Sequence, residues 1–141
     1  MDSSQSQQTK LSFKKFIPGI AWFFVILILI CMPSSSLPEV DDWMIVINYD
    51  KLIHVGVFAV LAFLFMYPVS KSDLDTKVKW QYMIKIAIAT ILWGITTELI
   101  QKFFIPSRSF SLSDWLADGI GGILALFYAR FWMLKKVESE N

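Results

Sequence analysis

Four long apolar runs, three of them broken at a few positions by ionisable side chains, set the pattern of this chain. A helix needs roughly 20 apolar residues to cross a bilayer, with about 17 still workable. The first run extends from about Phe16 to Met32 and is almost purely aliphatic and aromatic, with Pro18 acceptable in a first helical turn. The second runs from about Lys51 to Tyr67, is expected to end at Pro68, and carries His54 near its start. The third runs from about Met83 to Phe104, with Lys85 at one end and Glu98 and Gln101 toward the other. The fourth starts near Leu112 or Ser113, ends near Leu134, and holds Asp114 and Asp118 in its first turns. The pattern predicts an all-α polytopic membrane protein: a cytoplasmic tail over 1–15, a four-helix membrane domain over 16–134 and a second cytoplasmic tail over 135–141.

Composition supports that solvent assignment. Hydrophobic residues make up 55% of the 141 positions and charged residues 18%, and the mean hydropathy is +0.54. A net charge of +1, with its cations in short scattered clusters, speaks against nucleic acid as a partner. The single cysteine, Cys31, excludes an internal disulfide and reads as a packing residue. A cleaved signal peptide is the alternative for the first run, but no A-x-A site borders it.

The cations also orient the bundle. Lys10, Lys14 and Lys15 precede the first span, the second loop has Lys71, Lys77, Lys79 and the bordering Lys85, and Arg130, Lys135 and Lys136 close the fourth span. The first loop instead holds Glu39, Asp41, Asp42 and Asp50 against Lys51, and the third holds Lys102 and Arg108. Both termini are therefore expected on the cytoplasmic side. That topology brings the start of the second helix, the end of the third and the start of the fourth to the outer face.

The polar residues then share one depth. Asp50 and His54 are spaced i, i+4, Glu98 and Gln101 i, i+3, and Asp114 and Asp118 i, i+4, so each pair lies on one helix face. Charged groups in hydrocarbon are costly, and three polar faces at one level satisfy one another by turning inward. Thr90, Gly94 and Thr97 extend the face on the third helix, and Gly121, Gly122 and Ala125 extend it on the fourth. These small-residue stripes predict the packing seam. Trp43, Trp80 and Trp115 lie near predicted helix ends, as interfacial anchors do.

The strings Asp50-Lys51-Leu-Ile-His54, Glu98-Leu-Ile-Gln101 and Arg108-Ser-Phe-Ser-Leu-Ser-Asp114-Trp-Leu-Ala-Asp118-Gly-Ile-Gly121-Gly122 resemble, in order, the three motif blocks of VanZ-like bacterial membrane proteins. The likeness begins at about residue 50 and covers about two thirds of the chain. Asp118 departs from it, since the family pattern usually has Asn there. The resemblance implies a multi-pass protein of the bacterial cytoplasmic membrane, acting in the cell envelope. The family's namesake is associated with resistance to teicoplanin, and a kinship with enzymes acting on phosphate-containing lipid head groups has been suggested.

The residues themselves allow acid–base chemistry by His54, Glu98, Asp114 and Asp118, with Asp50, Lys51, Gln101 and Arg108 as contacts to a substrate. Arg108 is a natural phosphate or carboxylate ligand. A divalent cation held by Asp114, Asp118, Glu98 and His54 is also chemically reasonable, although no spacing here is diagnostic of one, so cofactor and metal stay open. Ser107, Ser109, Ser111 and Ser113 are weaker nucleophile candidates. The structural alternatives are that Asp114 caps the fourth helix and that Glu98 and Gln101 only bond helices together. The expected partner is a membrane lipid or lipid-linked envelope precursor, handled by an enzyme or by a non-catalytic binding protein that limits glycopeptide access. A transporter is disfavoured because the inner halves of the spans are nearly all apolar.

Overall fold

The computed structural model describes residues 11–32, 49–106 and 108–139, with side chains described as far as Trp132. The described residues form α-helices α1 (Ile17–Cys31), α2 (Tyr49–Ser70), α3 (Thr76–Phe104) and α4 (Leu112–Ser139), with a 3-10 turn, Phe13–Phe16, leading into α1. Three of them, α1 with its leading turn, α2 and α3, are long and apolar enough to cross a membrane. α4 carries Asp114, Asp118 and Arg130 within its apolar run, and it packs most extensively against α2. Lys10, Glu39, Asp41, Asp42, Trp43 and Ser107, and the side chains of Leu134, Lys135 and Lys136, for which the sequence sets expectations, lie outside the described residues.

The helices run antiparallel in sequence. Phe16 meets Phe65 with ring centroids 6.1 Å apart, and the Trp22 indole N–H donates to the Val57 carbonyl at 3.0 Å, so α1 descends as α2 rises. His54 near the start of α2 meets Asp118 near the start of α4, which sets those two parallel and α3 opposite to both. The interior is built from small and flexible residues: Ala62, Met66, Met83, Ala87, Ala125 and Ala129 form one core, and Ile26, Ile30, Phe58 and Leu61 seat α1. Large side chains point outward instead, with Leu92 59%, Phe127 65% and Phe131 67% exposed. A contiguous apolar exterior around a small-residue interior is what hydrocarbon solvent favours, since packing rather than hydrophobicity joins helices there. The chain is a small helical membrane bundle.

The small-residue stripes form the predicted seam. A Cβ on Gly121 would overlap the Val55 carbonyl oxygen and come within 2.8 Å of the Ala59 amide nitrogen, so α2 and α4 touch backbone to backbone there. Thr90, Gly94 and Thr97 are buried on the facing side of α3. The Thr90 and Thr97 hydroxyls turn back onto the Ile86 and Gly94 carbonyls, which removes their polarity from the interface.

Several boundaries differ from those expected. Pro68 lies inside α2, which continues to Ser70. The N–H it lacks would have gone to the Leu64 carbonyl, a loss confined to the last turn, where the Ser70 hydroxyl and the Lys71 amide both donate to the Tyr67 carbonyl. α3 begins at Thr76, so Lys77 and Lys79 are helical rather than in the loop. α4 reaches Ser139, past the expected end at Leu134 and through most of the expected tail. Hydropathy marks only the stretch inside hydrocarbon, and both helices continue beyond it. Cys31 is exposed at the end of α1 and does not pack in the core.

Candidate functional site

At the end of the bundle where α2 and α4 start and α3 finishes, His54 Nδ1 lies 2.8 Å from Asp118 Oδ1. A carboxylate accepts, so Nδ1 carries the proton and Nε2 is left as the free ring nitrogen. Asp118 is fully buried, and the His54 side chain keeps 20% of its surface. The pair joins residues 64 positions apart and pins α2 to α4 just above the Gly121 contact.

Glu98 completes the cluster from α3. One ring nitrogen of His54 and one carboxylate oxygen each from Glu98 and Asp118 all lie within 4.8 Å of one another. Glu98 Oε2 accepts the Ser111 backbone N–H at 2.8 Å, which ties the loop before α4 to α3. Its other oxygen, Oε1, is buried with no hydrogen-bond partner among the described residues, and so is Asp118 Oδ2. Buried polar atoms are nearly always paired, so two orphaned carboxylate oxygens beside one imidazole are an unusual concentration of unused acceptor capacity.

Gly94 makes room for this arrangement. A Cβ there would come 2.9 Å from both Cβ and Oδ2 of Asp118 and 3.3 Å from Cδ1 of Trp115. Trp115 donates its indole N–H to the Ile91 carbonyl at 3.1 Å, so it braces α4 against α3 rather than anchoring at the interface. Trp80, half-buried near the start of α3, lies 5.4 Å from the Arg130 guanidinium.

The start of α4 is capped by Ser111, not by Asp114. Ser111 Oγ accepts the Asp114 N–H at 3.3 Å, and Ser111-x-x-Asp114 has capping-box spacing. The Ser111 N–H that an acid at the fourth position of such a box would accept goes to Glu98 instead. Asp114 is thereby free to face Lys51, whose Nζ lies 3.8 Å from its Oδ1 and 3.4 Å from Asp50 Oδ2.

The other expected site residues are less central. Asp50 is largely exposed and pairs with its neighbour Lys51 instead of sharing an inward face with His54. Gln101 is buried one turn beyond Glu98. Arg108 is half-buried, and among the described residues it has no ion pair and its Nε has no hydrogen-bond partner. Of the serines, Ser113 bonds only Ser111 and Asp114, and Ser109 is exposed.

The arrangement has two layers. A buried layer of His54, Glu98 and Asp118 can exchange a proton or hold an ion, and an outer layer of Asp50, Lys51 and Asp114 meets the surroundings. No family model, curated protein or solved structure matches this chain.

Proposed function

We propose that this protein is a VanZ-like bacterial inner-membrane protein that acts at the outer face on a phosphate-bearing lipid head group or a lipid-linked envelope precursor. One observation carries the reading. The three sequence blocks that resemble the family contribute His54, Glu98 and Asp118 to a single buried cluster, although they are far apart in the chain. In this reading His54 is the acid–base group because it alone of the three keeps exposed side-chain surface, while Asp118 fixes its tautomer and orientation. Lys51 and Arg108 supply positive charge to the head group at the rim. The lysine-rich loops put both termini in the cytoplasm.

A profile of membrane lipids and wall precursors, comparing cells carrying the parent protein with cells carrying His54→Gln, tests the reading. A species whose level depends on His54 supports turnover. A lipid that co-purifies equally with both forms and is never altered supports the second reading, a non-catalytic binder that covers its lipid against glycopeptides. The burial of Glu98 and Asp118 favours that alternative, since neither reaches a surface-bound substrate without movement. Labelling of single cysteines at residues 42 and 73 tests the orientation, with residue 42 expected to react from outside and residue 73 only after permeabilisation.

A further inference from the structure

We infer that His54, Glu98 and Asp118 form a binding site for one divalent first-row transition ion. This rests on the head-group reading for a biological purpose and revises it in one respect, since a His54 nitrogen that holds the ion is not free for acid–base work; the geometry of the donors stands by itself.

Three facts converge. The donor atoms, one nitrogen and two carboxylate oxygens, lie within 4.8 Å of one another. Glu98 and Asp118 are 1% and 0% exposed, and each presents one buried oxygen that has no hydrogen-bond partner among the described residues. Each of these carboxylates is also held by its other oxygen, Glu98 Oε2 by the Ser111 N–H and Asp118 Oδ1 by His54. Outer contacts that orient a ligand while leaving its second atom free are the usual support of a metal ligand.

Charge and size point to the same class of ion. Two carboxylates and a neutral imidazole around a dication sum to zero, which a low-dielectric interior tolerates far better than two unpaired anions. A nitrogen donor beside two oxygens suits Mn²⁺, Co²⁺ or Zn²⁺ better than Mg²⁺ or Ca²⁺. Bonds of about 2.0–2.2 Å place neighbouring donors about 3 Å apart, so donors that now lie within 4.8 Å of one another have only to close in by about 1–2 Å. Gly94 matters because it leaves the volume in which Asp118 Oδ2 sits.

The test uses the full chain in nanodiscs, stripped with chelator and titrated with Mn²⁺, Zn²⁺ or Co²⁺ alone, with bound metal measured by elemental analysis and the Co²⁺ site by visible absorption. One ion per chain is expected at micromolar free metal. Glu98→Gln and Asp118→Asn should each abolish it, while Asp75→Asn at the far end leaves it unchanged. Gly94→Ala keeps every donor but displaces the Asp118 carboxylate, so it should weaken binding by about 10–100-fold, the range for disturbed support around a ligand. Parent protein that binds no ion under these conditions overturns the inference without reference to any variant, as does stoichiometric binding that survives the Glu98 and Asp118 changes. Metal binding is read here without turnover. A protein that holds the ion yet alters no lipid would therefore sink the enzyme reading and leave the site intact.

Discussion

The two ends of the same three helices are held together by opposite means. At one end Met66, Val69, Met83, Ala87, Ala125 and Ala129 fill a dry core, and the charges there stay at the rim, with Arg130 over Trp80 and Lys71 3.8 Å from the Trp132 ring centre. At the other end the same seam closes around His54, Glu98 and Asp118, with acceptor atoms left unused. Apolar packing alone suffices to join these helices, as the first end shows. The buried carboxylates at the second are a cost that packing does not require, and such costs in membrane interiors mark function.

The comparison breaks most sharply at His54. On the head-group reading, His54→Gln keeps a hydrogen bond to Asp118 but cannot exchange a proton near neutral pH. Turnover of the precursor is expected to fall by about 10²–10⁴-fold, the contribution of one positioned acid–base group. Folded yield in detergent should stay close to that of the parent. Equal turnover by the variant would reduce the polar end to a second form of glue.

Next in size is Gly121, which belongs to both ends because the backbones of α2 and α4 meet there. Gly121→Ala drives a methyl group into the Val55 carbonyl and the Ala59 amide, neither of which is a side chain that can swing away. Overpacking of this kind costs about 1–3 kcal/mol. Denaturant titration should find the variant less stable by that amount, and the His54–Asp118 pair should be disturbed with it. Gly56→Ala is the control, since a Cβ there meets nothing within 4 Å.

Asp114 gives a smaller and more discriminating effect. Because Ser111 caps α4, Asp114→Asn removes only a partly exposed ion pair with Lys51. The stability change is expected to stay within about 1 kcal/mol. Ser111→Ala should cost about 0.5–2 kcal/mol, the usual loss for a missing cap. If the order of the two is reversed in thermal melts, the assignment of the cap is wrong.

These residues also show what could be read from the chain. That these residues gather at one end of the bundle was legible because Glu98 and Asp118 interrupt apolar runs, where an unsatisfied charge is hard to keep, and i, i+3 or i, i+4 spacing gave each helix a polar face. Rotation of α2 about its axis was not legible. Spacing put Asp50 with His54, whereas the structure turns His54 to Asp118 and leaves Asp50 in the surroundings. The cap was present in the Ser111-x-x-Asp114 spacing, but the acid that takes the Ser111 N–H arrives from α3, a contact with no local signature. The true ends of α3 and α4 were missed for the opposite reason, since polar turns outside hydrocarbon carry no hydropathy signal.

The smallest expected effect concerns α1, which touches neither polar end by charge. Its one interhelical hydrogen bond among the described residues runs from the Trp22 indole to the Val57 carbonyl, one turn from His54 along α2. Trp22→Phe removes that donor and some contact area while keeping an aromatic ring against the second core. Hydrogen bonds between membrane helices average about 0.6 kcal/mol, because the separated helices find other partners. A loss of that order is expected in an unfolding titration, with the metal affinity and lipid profile of the parent retained. A loss several times larger, or a change in either functional readout, would show that α1 positions His54 through α2, and the polar end would then extend to all four helices.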